Sequence, residues 1–270
     1  MIDINTFGMN SNESLFTNLN FIIMKINKFL LNTLLAGVFI ASFIGYAQEK
    51  EKESYEMVNL QYIMPKIGME KAFEKSAKEH NNLYHKEGPY KASIDYILTG
   101  SETGWYVWLM GPNTFSDLDG SPGEGAHADH WNKFVAPTID EYGRSEFWKY
   151  NEKLSYNNLK ASTKYENIWI LDLKRGDYYR FKAMMLKIKE AHEKKADDSI
   201  LIYENQFNGN DGREIAIVWP FNSWAELDID NGGIKKTYEE INGEGSWQDA
   251  MDEWSEFTES INSQVWRIGL

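Results

Sequence analysis

The strongest constraint on the fold of this chain is an internal repeat. Asn113-Thr114-Phe115-Ser116-Asp117-Leu118-Asp119 is mirrored by Asn222-Ser223-Trp224-Ala225-Glu226-Leu227-Asp228, and each heptapeptide follows a Trp-bearing, strand-like run. Downstream, Gly123-Glu124-Gly125 returns as Gly243-Glu244-Gly245, and the Trp131/Phe134 pair returns as Trp254/Phe257. Self-similarity over this length means that one supersecondary unit is built twice. The order of patterns agrees. In the first copy a β-like run at 57–64 leads to a helical pattern at 68–86, then strand-like runs at 91–98 and 105–110, a helix at 126–135 and a strand at 146–151. In the second copy a strand at 167–173 precedes a helix at 178–195, a hairpin of 199–207 with 214–219, a helix at 247–261 and a strand at 264–268.

Each copy therefore reads β-α-β-β-α-β, the ferredoxin-like order, over residues 55–156 and 165–270. A four-stranded sheet with helices on one face leaves its other face bare, and two such sheets pressed together bury it. The expected class is α+β: two tandem ferredoxin-like repeats whose antiparallel sheets pack as a pseudo-dimer. On this order and this duplication the chain resembles the dimeric α/β-barrel superfamily, with both halves fused in one polypeptide. That superfamily includes antibiotic-biosynthesis monooxygenases, the EthD and NIPSNAP groups, rhamnose mutarotase and small cyclases and dehydratases. The resemblance implies a pocket between the sheet and its own helices, used for proton-transfer or oxygen chemistry on small molecules. It transfers no catalytic residue, because no family-specific motif is present.

Residues 1–47 stand apart. Met24-Lys25-Ile26-Asn27-Lys28 is a short basic start, an apolar run covers 29–44, and Gly45-Tyr46-Ala47 places small residues at a cleavage site. This is the pattern of a secretory signal peptide, too short and wrongly flanked for a membrane span, with cleavage expected near Ala47 and a periplasmic or secreted product. The true start is expected at Met1 or Met24. The chain has no cysteine, so core burial rather than disulfides must stabilise it. A net charge of −13, spread along the sequence, argues against a nucleic-acid partner, which needs a basic footprint.

The five histidines carry the candidate chemistry. On a helical projection His80 falls within the stripe of Met69, Ala72, Phe73, Ser76 and Ala77, whereas His85 is expected to point away or to sit in the last turn. His127 and His130 share one side with Trp131 and Phe134. The second copy places Trp247, Ala250, Met251, Trp254 and Ile261 on the corresponding face of its second helix, with no titratable group, while its first helix keeps His192 in line with Phe181, Met185 and Ile188. Burying imidazoles costs free energy unless they are partnered, and copy two implies that the unit closes without them. The asymmetry points to a site in copy one. Asp95, alternating with Ser93 on one strand face, is the expected orienter of an imidazole.

The residues expected to do chemistry are thus His80, His127, His130 and Asp95, with Asn59, Gln61, Tyr96 and Trp131 as substrate contacts. G-x-G-x-x-G after a strand, the phosphate-binding loop motif, G-x-S-x-G and H-E-x-x-H are all missing. The expected function is an exported, cofactor-independent acid/base enzyme, a dehydratase-type lyase acting on a saccharide or uronic-acid oligosaccharide, and a monomer that is its own pseudo-dimer. One imidazole would take a carbon-bound proton and another would protonate the leaving hydroxyl. Three alternatives stay open: a divalent metal held by His80, His127, His130 and Asp95, a non-catalytic glycan-binding module, and a monooxygenase.

Overall fold

The computed structural model describes residues 55–270 apart from 121–122, 160–162, 197, 208, 210 and 230–231. The leader expected at 1–47 lies outside the described residues. Eight strands follow the expected order: β1 (Met57–Pro65), β2 (Ala92–Ile97), β3 (Tyr106–Asn113), β4 (Ile139–Tyr150), β5 (Tyr165–Leu173), β6 (Leu201–Asn205), β7 (Ile215–Phe221) and β8 (Thr258–Arg267). Every pairing is antiparallel, in the spatial order β4-β1-β3-β2 for the first half and β8-β5-β7-β6 for the second.

The expectation of two facing sheets is sharpened to one closed barrel. The halves join edge to edge through Tyr96↔Arg267 and Ile97↔Trp266 at one seam and Trp148↔Asn205 to Tyr150↔Tyr203 at the other. Closure leaves no open sheet edge. The lumen is filled from both halves by Leu60, Tyr62, Val107, Ile168, Ile170 and Trp266. Arg213 spans it, donating from Nη2 to the Tyr62 hydroxyl at 2.7 Å and to Glu146 Oε2 at 2.9 Å.

Helices cover the outer face of each half. In the first, α1 (Glu70–Tyr84) drives Phe73 and Ala77 onto Ile63, Ile94 and Tyr106. The second helix of that half, α2, runs only from Ala126 to His130 and continues as a wide π-turn from Trp131 to Val135. In the second half, α3 (Tyr178–Lys195) and α5 (Ser246–Phe257) flank α4 (Lys235–Asn242), which the sequence pattern did not announce.

Two boundary expectations are corrected. The last helix ends at Phe257, and Ile261 lies in β8, 45% exposed, because β8 pairs with β5 along its whole length from Thr258. Phe134 is also not inward but 47% exposed, since the π-turn shifts the facing so that Val135 is the buried residue. The repeated Gly-Glu-Gly has a backbone role. Gly125 and Gly245 hold φ of 63° and 80° at the starts of α2 and α5, a region that glycine occupies without strain.

Candidate active site: an imidazole cluster in the first half

Four of the five histidines meet between α1, α2 and the outer face of the first sheet. His80 is the hub. Its Nε2 lies 3.1 Å from His127 Nε2, and its Nδ1 lies 3.2 Å from His130 Nδ1. The fourth is His85, whose Nε2 lies 2.8 Å from His127 Nε2. His85 is thus corrected from an outward residue to a buried member of the cluster, 2% exposed. The reason is local backbone: His85 is the C-cap of α1, with φ −131° and ψ 35°, so the chain leaves the helical path there. Its side chain turns back and places Nδ1 2.7 Å from the Tyr90 carbonyl oxygen. That oxygen can only accept, so Nδ1 carries the proton and Nε2 presents a lone pair. The Tyr84 hydroxyl donates to the Ala126 carbonyl at 3.1 Å and ties the two helices together across the cluster.

The environment favours the neutral form of His80, His85 and His127. His80 is fully buried, and its pKa is lowered to about 3 by desolvation and then by repulsion from His127, His85 and His130. His85 is lowered by burial and by His127, against the Tyr90 hydrogen bond, which acts the other way. His127 is lowered by desolvation and by His130.

The cluster opens onto a cavity of about 530 Å³. His80, His85 and His127 form one part of its wall. Gln61, Trp108, Tyr142 and Ser145 reach it from the sheet, where Gln61 is the cross-strand neighbour of both Trp108 and Ser145. Trp131 and Trp108 stand edge-on to His80 and His85 at centroid separations of 5.0 and 5.1 Å. Trp131 Nε1 donates to the Tyr142 hydroxyl at 2.8 Å. No Lys, Arg, Asp or Glu is among the described residues that line the cavity.

The other expected residues divide. Asn59, Gln61 and Trp131 line the cavity. The buried Asn59 Oδ1 has no hydrogen-bond partner among the described residues. Gln61 is partly committed, since its Nε2 donates to the Tyr62 and Gly143 carbonyls. Tyr96 is not in the cavity wall; it packs on Tyr106 at 4.8 Å and under the Arg267 guanidinium.

Asp95 orients no imidazole. Its neighbour Ile94 packs with Phe73 and Ala77 on the helix side, so strand alternation turns Asp95 into the lumen. There its Oδ1 accepts from the Gly269 N–H at 2.8 Å. The expected metal set of His80, His127, His130 and Asp95 is corrected in the same way. The three nitrogens that converge within 4.8 Å of one another belong to His80, His85 and His127. His85 was the residue missed, because the helical period was carried one step past the helix end.

No family model and no curated protein matches the sequence. Among solved structures, the chain is similar to a protein from Fusobacterium nucleatum assigned as a monooxygenase, with a TM-score of 0.51, 10% identity, and 81% of this chain and 94% of that one covered. A protein with the same assignment from Lactobacillus acidophilus aligns with a TM-score of 0.49 at 9% identity over 80% and 94% of the two chains. An anthrone oxidase-like protein aligns with a TM-score of 0.47 at 9% identity over 81% and 93%. Likeness at such identities concerns the fold. The chain has the dimeric α/β-barrel fold, with both halves in one polypeptide.

Proposed function

We propose that this protein is an enzyme whose first half carries out proton-transfer chemistry on a small polar molecule, as a dehydratase-type lyase. The observation that carries the reading is the meeting of three imidazoles at one wall of an open, aromatic-sided cavity, with His130 behind His80 as a fourth. Buried ionisable groups with displaced pKa values in a cleft mark functional sites more often than structural ones. In the proposed reaction a proton leaves the carbon next to an acidifying group. The adjacent carbon–oxygen bond breaks, the electron pair forms the new double bond, and the departing hydroxyl takes a proton and leaves as water. Neutral imidazoles suit the first step, and the Trp131, Trp108 and Tyr142 walls with the free Asn59 carbonyl suit a saccharide ring. The leader pattern at 1–47 adds export to the proposal, which places the substrate class among extracellular saccharides and uronic-acid oligosaccharides.

The test is incubation of the purified chain with uronic-acid oligosaccharides and mass spectrometry of the products. Loss of 18 mass units (one water) that disappears in His127→Ala supports the reading, and turnover unchanged in that variant ends it. The assignment of the Fusobacterium neighbour supplies a second reading, oxygenation of an electron-rich aromatic substrate. Consumption of dioxygen with such a substrate, and no loss of water from saccharides, would select it.

A further inference from the structure

We propose that His80, His85 and His127 together hold one divalent first-row transition-metal ion, with its open coordination position facing the cavity. The ion deepens the reading above by giving that pocket a cofactor. It rests on that reading only for its use in catalysis, not for its binding.

Three Nε2 atoms face one another, with separations at His127 of 3.1 Å to His80 and 2.8 Å to His85. His85 Nε2 must present a lone pair, because its Nδ1–H is committed to the Tyr90 carbonyl. His80 has a partner on its far side too: in the tautomer that donates Nδ1–H to His130 Nδ1, one of the two this contact allows, its Nε2 aims a second lone pair at the same point. If the rings share only hydrogen bonds, a single proton on His127 Nε2 must serve both contacts. A cation at the centre satisfies all three lone pairs at once.

The geometry fits an ion of ordinary size. Metal–nitrogen bonds of about 2.0–2.1 Å in a tetrahedral arrangement place ligand nitrogens about 3.3 Å apart. The two separations at His127 need to open by about 0.2 and 0.5 Å, and all three nitrogens already lie within 4.8 Å of one another. Backing of each ligand by a second-shell partner is also typical of metal-binding histidines, since it fixes tautomer and ring orientation. Here the Tyr90 carbonyl backs His85 and His130 backs His80, while His127 Nδ1 has no partner among the described residues.

The donor set speaks to the ion. Three imidazoles and no carboxylate favour zinc, copper, nickel or iron over calcium and magnesium, which take oxygen ligands. Three protein ligands with a fourth position turned to a cavity is the arrangement of catalytic rather than structural sites. Such an ion would supply Lewis acidity toward a substrate oxygen. Three neutral ligands would leave its double positive charge uncompensated, in a cavity whose lining has no charged side chain. The site would then attract an anionic group such as a uronate carboxylate.

The test uses the full chain and the metal alone. Chain freed of metal by chelation is titrated with Zn²⁺ at neutral pH by calorimetry, and Co²⁺ loading is followed by visible absorption. The expected result is one ion per chain, a visible spectrum of four- or five-coordinate Co²⁺, and a raised melting temperature in the presence of Zn²⁺. His127 is the least buried of the three ligands, so His127→Ala is the first variant, and His85→Gln is the second. Loss of a second-shell partner already costs about 10–100-fold in affinity, so each ligand variant is expected to weaken Zn²⁺ binding by more than about 100-fold while its circular dichroism stays native. Millimolar or weaker binding by the folded wild type overturns the inference, as does equal affinity in both folded variants. Turnover without metal binding would refute the ion and leave the enzyme reading standing. Metal binding with no product from any saccharide would do the reverse.

Discussion

The two halves share a scaffold and differ in what they enclose. Superposing β1 on β5 and Phe73 on Phe181 places Ile188 where the first half has His80, and Trp169 where it has Gln61. Matching Trp131 to Trp254 places Ala250 where the first half has His127. In the second half the space between sheet and helices holds Phe181, Met185, Ile188, Tyr238 and Phe257, with Trp169, Trp247 and Trp254 packed against them. Its additional helix, α4, contributes the buried Tyr238, which stands edge-on to Trp247 at 5.3 Å. One copy is a filled core, and the other trades part of that core for imidazoles and an open cavity. The comparison teaches that the histidines are not needed to build the unit. Their cost in the first half is offset in part by mutual contacts.

Four measurements would break or sharpen this contrast. The largest effect is expected from His127→Ala, which should lower turnover of the eventual substrate by about 10²–10⁴-fold, the usual worth of a positioned proton-transfer group. The reciprocal Ala250→His in the second half should add no activity. Next comes Arg213→Ala, which removes from the second half the cation that Glu146 and Tyr62 of the first half depend on. A buried partner left alone costs about 3–5 kcal/mol, and the lower end is expected because Arg144 remains 3.7 Å from Glu146. Urea unfolding should show this loss as one cooperative transition; two separate transitions would mean that the halves stand independently.

A pH effect follows at the opposite seam. Asp95 of the first half is pushed up to about 7 by burial, against the Gly269 hydrogen bond. Glu166 of the second is pushed up to about 8 by burial and then by Asp95. Unfolded carboxyls release their protons near pH 4, so the folded state holds protons that the unfolded state has lost. The stability these groups contribute is therefore complete below about pH 4, and it declines as pH rises through about 7 to 8. Urea midpoints at pH 5 and pH 8.5 should show the decline, and Asp95→Asn with Glu166→Gln should flatten it. The same slope in the double variant would discard the explanation.

The smallest effect on stability is expected from His80→Ile, which installs the residue of the second half. Stability should stay level or rise by about 1 kcal/mol while turnover collapses, the usual exchange at a functional site. A large destabilisation would show instead that His80 is a structural member of its core.

Much of this could be read from the residues, and the misses share a cause. The element order, the duplication and the inward facing of His80, His127 and His130 follow from local periodicity, which a sequence displays directly. His85 was lost because one capping residue leaves the helix, so the 100° step no longer applies to its side chain. Asp95 was matched to the imidazoles because strand alternation says which residues share a face, but not which face the helices will cover. Helix α4 escapes notice because its eight residues are shorter than the window over which a helical period is read, although Ile234, Tyr238 and Ile241 recur at helical spacing.

Legible in the residues alone are the doubling of one β-α-β-β-α-β unit and the gathering of three inward histidines in the first copy, against the single buried His192 of the second. Both are properties of spacing along the chain. Only the tertiary structure decided that β2 meets β8 and β4 meets β6 to close one barrel, which turns Asp95 and Glu166 into its lumen. It alone brought His85 from the end of α1 to within 2.8 Å of His127, forty-two residues along the chain. Convergence of that kind depends on how elements dock, and docking is set by the shapes of buried faces rather than by the spacing within any one of them.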